Sequence, residues 1–202
     1  GTPAGADTAQ ADGIGPEEHG TTHFVVIDRA GTAVSYTSTV ESAFGSGMMV
    51  GGYYLNNELT DFSFSPEKDG KAVANRVQGG KRPRSSMAPI LVYDQAGRLI
   101  LAAGAAGGAT IPVQVAKVLI ARLDWNMSAQ QAIALPTLYS PGDTIFIEPG
   151  TSLEAMIPAL KALGHANITA RTMPLKANAV ERGPSGWIGA ADPRSEGMAI
   201  IQ

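Results

Sequence analysis

The chain has 202 residues, 44% of them apolar, and 15 basic against 18 acidic side chains give it a net charge of −3. That is enough apolar material for one substantial core, and a weak negative charge with no long basic run excludes a nucleic-acid surface or a polybasic membrane anchor. Cysteine is absent, which removes disulfides, thiolate catalysis and cysteine metal sites, and no apolar stretch reaches the roughly 18 residues of a membrane span.

Residues 1–20 are small, polar and turn-forming, so they cannot offset their own ordering entropy and read as an exposed linker ending at a cuttable bond. The chain opens on glycine and lacks a basic-then-apolar leader, as expected of a fragment or a processed product. From Thr22 the composition changes abruptly. Residues 23–28 and 32–39 alternate as strands around the turn Arg29-Ala30-Gly31, a hairpin signal. A glycine-dense stretch over 40–52 gives way to a strand at Tyr53-Tyr54-Leu55 and a helical turn in the segment 56–62, and residues 63–84 read as a polar surface loop offering no aromatic lid gate. A second hairpin joins 88–94 to 98–103 across Gln95-Ala96-Gly97. The glycine-rich run 104–108 then opens an apolar helix from about Ala109 to Leu123. Ser128 is the expected N-cap of a short helix ending before Pro136, and Thr151 or Ser152 that of a helix closing at Gly164. Short strands fit 144–148, 166–172, 179–182, 186–191 and 197–202. Strands, then helices, then strands point to an α+β fold with antiparallel sheets covered by helices.

Several segments carry groups suited to chemistry. A threonine heading a strand becomes a nucleophile if the peptide bond before it is cut, because its own α-amine, titrating near about 7.7–8.0, then serves as base. Taken alone, Thr21 and Thr22 are equally ordinary β-branched residues opening a strand. The glycines before the helix suit either oxyanion stabilisation by the amides of Gly107 and Gly108 or close strand–helix packing; a phosphate loop would need a lysine and hydroxyl that are missing. Glu58 and Asp61, three apart, face one side of a helical turn and suit an ammonium group, or simply a helix start. Ser85 and Ser86, beside Lys81, Arg82 and Arg84, suit a carboxylate, or a solvated turn. Together an acidic pair and a hydroxyl pair match a zwitterionic amino-acid head group. His19, His23 and His165 have no metal-ligand spacing, so neither metal nor cofactor is expected, and Asn126-Met127-Ser128 and Asn167-Ile168-Thr169 fit the glycosylation tripeptide.

Five segments in order, TTHF from Thr21, SYTST over 35–39, NNELTDFS over 56–63, KRPRSSMAP over 81–89 and GGAT over 107–110, resemble the small, C-terminal subunit of the γ-glutamyltranspeptidases, as does the late ADPRS over 191–195. The resemblance runs from about Thr21 to the C-terminus. It implies an N-terminal-nucleophile (Ntn) hydrolase, with two antiparallel sheets sandwiched between helix layers (αββα), of which residues 21–202 form the C-terminal half. It also implies a precursor that cuts itself, here between Gly20 and Thr21, into large and small subunits that stay together, and a periplasmic or extracellular setting. By likeness Thr21 Oγ attacks the γ-glutamyl amide of glutathione and related compounds, and water, an amino acid or a peptide takes the acyl group. Thr39 orients Thr21, Gly107 and Gly108 hold the oxyanion, Glu41, Glu58 and Asp61 bind the substrate ammonium, and Ser85 and Ser86 bind its carboxylate together with an arginine of the large subunit.

This chain departs from the family pattern in having Ala105-Ala106 where Ser-Pro is frequent, which bears on the rigidity of the oxyanion loop, and Arg84 where an apolar residue is usual. Two other readings stand beside the first: a related amidase acting on glutaryl-cephalosporin-like amides, and a non-catalytic assembly subunit left uncut at Gly20–Thr21.

Overall fold

A computed structural model describes residues 20–200. The expected linker, apart from Gly20, lies outside the described residues. In chain order the strands are β1 (Thr21–Ile27), β2 (Ala33–Thr39), β3 (Met49–Val50), β4 (Tyr53–Tyr54), β5 (Glu67–Lys68), β6 (Lys71–Ala72), β7 (Ile90–Tyr93), β8 (Leu99–Ala106), β9 (Leu138–Tyr139), β10 (Thr144–Ile147), β11 (Asn167–Ala170), β12 (Lys176–Gly183) and β13 (Gly186–Ala191), with helices α1 (Ile111–Leu123), α2 (Ala129–Ala134) and α3 (Ile157–Ala162). Two compact units result: Gly20 with Thr39–Ser85, and Thr21–Ser38 with the chain from Ser86 onward.

The second, larger unit is built on an antiparallel sheet in the order β13-β12-β8-β7. Because successive strand side chains alternate in direction, β8 presents Leu101, Ala103 and Ala105 to one face, where they join Ala177 and Ala179 of β12. Helix α1 buries Ile111, Gln114, Val115, Val118 and Ala121 at helical spacing, and all but Gln114 pack on that face with Ala132 and Ile133 of α2. Burying the larger of these side chains contributes about 1.5–3 kcal/mol each. The opposite face carries the β1–β2 hairpin: the His23 ring lies over Gly104, Ser35 Oγ donates to Ala103 O at 3.1 Å, and Asn178 of β12 donates to His23 O at 2.7 Å. Helices, sheet and hairpin sheet thus make three layers of the expected sandwich, and Phe24, Val26, Val34 and Tyr36 stay about half exposed on the hairpin's outer side.

Local details follow sequence chemistry, with corrections. Ser128 and Gln131 cap α2 reciprocally, Ser128 Oγ taking the Gln131 N–H at 3.2 Å and Gln131 Oε1 the Ser128 N–H at 3.0 Å. The third helix does not start at Thr151 or Ser152. Thr151 spends its hydroxyl on Glu148 O at 2.7 Å, a 3-10 turn covers Glu154–Met156, and α3 begins only where Pro158, lacking an N–H, fits a first turn. Strand β8 runs through Ala106 instead of stopping at Gly104, because Ala105 and Ala106 pair with Ala177 and Lys176. Strand β10 pairs in parallel with β11, since α3 carries the chain back to the same edge. Residues 197–200 are not a strand, and the last two residues of that expectation lie outside the described part.

The smaller unit consists of the ribbons β3–β4 and β5–β6 around a 3-10 turn at Glu58–Asp61. Segment 63–84 is more than a surface loop, for it contains β5–β6 and buries Val73. Phe64, 76% exposed at its head, is an aromatic residue that the sequence reading overlooked.

Candidate active site

Thr21 opens β1 and is partly buried. With Thr22, His23, Ala106, Lys176 and Asn178 it lines a cavity of about 360 Å³ closed by residues 195–197. His23 donates or accepts through Nδ1 to Thr37 Oγ1 at 2.8 Å, while its Nε2 is buried without a partner among the described residues. Burial pulls the imidazole down from 6.5 to about 4, so the ring is neutral at pH 7 and serves as a structural floor for β1. An unfolded chain takes up this proton near pH 6.5 and the folded one only near 4, so stability falls as pH drops through that window, by up to about 3 kcal/mol below it. Urea unfolding at pH 7 and pH 4.5 should show His23→Gln losing less stability on acidification than the wild type; equal losses would refute this origin.

The turn after β8 is tied down. Gly107 has φ +128 and Gly108 φ +59, conformations that glycine adopts without strain, and a Cβ on Gly107 would meet Pro174 O at 2.0 Å. The Thr110 hydroxyl lies 2.9 Å from Gly107 O and 3.0 Å from Pro174 O. The buried Gln114 amide donates to Ala106 O and to Thr110 Oγ1, both at 2.9 Å, and its Oε1 accepts the Lys176 N–H at 2.9 Å. This network and the strand pairing of Ala105 and Ala106 fix the loop without the Ser-Pro pair. The first N–H groups of the 3-10 turn Gly108–Thr110 have no acceptor within the turn itself, which is the state an oxyanion requires. Thr110 and Gln114 escaped the sequence reading, although their i, i+4 spacing directly after the glycine pair is a usable signal.

In the smaller unit the chain brings three carboxylates together. Glu41 is 1% exposed, as is Asp61, and Glu58 is half-buried on the same turn as Asp61. Burial, then repulsion from Asp61 and Glu41, raises the Glu58 pKa; burial, then repulsion from Glu41, raises that of Asp61, with Arg84 pulling the other way. Glu41 Oε2 accepts from Ser42 Oγ at 2.8 Å and from Asn57 Nδ2 at 2.7 Å, whereas Glu41 Oε1 and Asp61 Oδ1 are buried with no hydrogen-bond partner among the described residues. No group of three or more His, Cys, Asp or Glu among the described residues has an arrangement that holds a metal ion. An ammonium ion, with three donors and no need of fixed coordination, is the better match. Thr39 Oγ1 accepts the Glu41 N–H at 2.8 Å. Asn75 links the acidic turn to the serine segment, donating to Asp61 O at 2.5 Å and accepting the Arg84 N–H at 3.0 Å; Ser85 is exposed and Ser86 partly buried.

Residues 3–201 match the family model described as gamma-glutamyltranspeptidase. The chain belongs to this family. Among curated proteins it is 37% identical over 147 residues to the glutathione hydrolase proenzyme of Bacillus subtilis subsp. natto, covering 72% of this chain and 24% of that protein. It is 32% identical over 198 residues to the glutathione hydrolase proenzyme of Pseudomonas aeruginosa, covering 93% of this chain and 35% of that protein. The chain therefore spans only about a quarter to a third of these relatives' length. Among solved structures it superposes on γ-glutamyltranspeptidase from Pseudomonas nitroreducens complexed with L-DON with a TM-score of 0.77 at 31% identity, covering 90% of this chain and 99% of that one. The family is that of the Ntn-hydrolase fold read from the sequence, and the three layers of the larger unit agree with it.

Proposed function

We propose that residues 21–202 are the catalytic small subunit of a γ-glutamyl transferase and hydrolase acting on glutathione and related amides, active only with a large subunit cut from the same precursor. Cleavage at Gly20–Thr21 frees the α-amine of Thr21, which takes the hydroxyl proton as Oγ attacks the γ-glutamyl carbonyl. Gly107 and Gly108 amides hold the oxyanion, Thr39 orients the nucleophile, and the ester passes its acyl group to water or to an amino-acid or peptide amine. Glu41, Glu58 and Asp61 take the substrate α-ammonium; Ser85 and Ser86 take its α-carboxylate.

The observation that carries this reading is the pair of buried, unpartnered carboxylate oxygens on Glu41 and Asp61. Buried charge without a partner is costly, and a γ-glutamyl group brings the missing cation. A glutaryl group has no ammonium and would leave the repulsion in place, which favours γ-glutamyl amides over the acylase reading. Co-expression with the large-subunit segment, intact mass, and turnover of γ-glutamyl and glutaryl anilides side by side test it. The expected result is a chain starting at Thr21 that turns over the γ-glutamyl compound. Turnover of glutaryl amides alone, or a stable complex retaining residues 1–20, would replace it with one of the other two readings.

A further inference from the structure

Gly20 is gripped by the backbone that follows β2. Its N–H donates to Glu41 O at 2.7 Å, and its carbonyl accepts the Val40 N–H at 3.4 Å. A Cβ at position 20 would lie 2.5 Å from Ser42 O and 2.9 Å from Glu41 O. Neither carbonyl can easily retreat. Glu41 sits at φ +73, a left-handed conformation that a non-glycine residue keeps only when its surroundings enforce it. The Thr39 hydroxyl holds its N–H, Ser42 and Asn57 hold its carboxylate, and Asn57 Oδ1 takes the Ser42 N–H at 3.0 Å.

We propose that Thr39–Ser42 is a clamp for the scissile peptide of the precursor, which presents the Gly20 carbonyl for attack, supplies the Val40 N–H to its oxygen, and admits only glycine at position 20. The inference rests on the reading that Gly20–Thr21 is the bond cut. In that step Thr21 Oγ bonds to the Gly20 carbonyl carbon, the bond from that carbon to the Thr21 nitrogen breaks, and the hydroxyl proton ends on that nitrogen. Water then attacks the resulting ester; its oxygen stays on Gly20, which leaves as a carboxylate, and Thr21 Oγ regains a proton. Negative charge builds on the Gly20 oxygen in both additions, and a donor already directed at it shortens and strengthens as the charge grows. The clamp acts once. During turnover residue 20 is gone and the oxyanion belongs to the substrate, so a side chain at position 20 harms maturation and leaves the mature catalyst untouched.

The test uses full precursors carrying glycine, Gly20→Ala or Gly20→Val, with cleavage followed by intact mass on the folded fraction isolated by size exclusion and checked by circular dichroism. Gly20→Ala should mature at least about a hundredfold more slowly, the penalty of displacing a reacting group by about 1 Å, and Gly20→Val no faster. A chain begun at Thr21 and joined to the large subunit should turn over γ-glutamyl anilide at the wild-type rate. Wild-type maturation in Gly20→Ala overturns the clamp. If that variant gives no folded fraction, Asn57→Ala decides: unpinning Glu41 and Ser42 should slow maturation, and an unchanged rate overturns the proposal. A wild-type precursor that is never cut removes both the clamp and the cleavage reading, whereas normal cleavage, an arrested Gly20→Ala and an inactive Thr21-started chain leave the clamp standing and sink the turnover reading.

Discussion

Thr21→Ala is expected to leave the precursor joined at Gly20–Thr21 and to abolish γ-glutamyl turnover, both in one substitution. The reason is that one hydroxyl serves two bonds: it opens the Gly20 carbonyl once, then every substrate carbonyl afterwards. Removal of a nucleophile that forms the covalent intermediate leaves only binding and oxyanion stabilisation, a loss on the order of several powers of ten by analogy with other acyl-transfer nucleophiles. Supplying a chain that already begins at residue 21 separates the two roles. With Thr21 at its start it should turn over; with alanine there it should assemble with the large subunit and stay inert. Intact mass reports the first role and anilide release the second. Full maturation of the alanine precursor would show that another group cuts the bond, and appreciable turnover by the alanine-started complex would assign the nucleophile elsewhere.

The sequence carried some of these features and hid others for physical reasons. The β1–β2 and β7–β8 hairpins were readable because period-2 patterns flank turns containing Gly31 and Gly97, both at positive φ; the α2 cap was readable because Ser128 and Gln131 sit at capping-box spacing. Such signals are local. The start of α3 was misread because Thr151 and Ser152 resemble caps, and only the contact of Thr151 with Glu148 O reveals that the hydroxyl is already engaged. Likewise Glu58 and Asp61 declared themselves by spacing, but the buried state of Glu41 depends on Asn57 and Ser42, partners 16 residues and one residue away, which no periodicity predicts. The role of Thr39 in holding the Glu41 backbone is legible only once Glu41 is seen in its left-handed conformation. Gly20 looked like the end of a linker, and its glycine requirement comes from carbonyls more than twenty residues downstream.

Asp61→Ala is expected to weaken γ-glutamyl recognition by roughly 2–4 kcal/mol, the cost of leaving a buried ammonium without its charged partner. In kinetics that is about 30- to 1000-fold in kcat/KM, expressed chiefly through KM, because the ammonium is held alike in ground and transition states. Asp61→Asn, which keeps the shape and removes the charge, should reproduce most of the loss. The pH dependence has a definite sign. Burial and the neighbouring carboxylates raise the Asp61 and Glu58 pKa values, so these groups take up protons at a higher pH than ordinary carboxylates, and kcat/KM should begin to fall on the acid side above the usual carboxylate range. The same repulsion makes the ligand-free unit less stable when both are ionised, and a raised folded pKa means that acidification through it relieves that cost. Asp61→Asn should therefore bind worse and unfold less readily at pH 7, two opposite changes from one substitution. A carboxylate kept merely for structure would give the reverse pattern: unchanged KM for γ-glutamyl anilide and a lower unfolding midpoint would place the ammonium site away from Asp61.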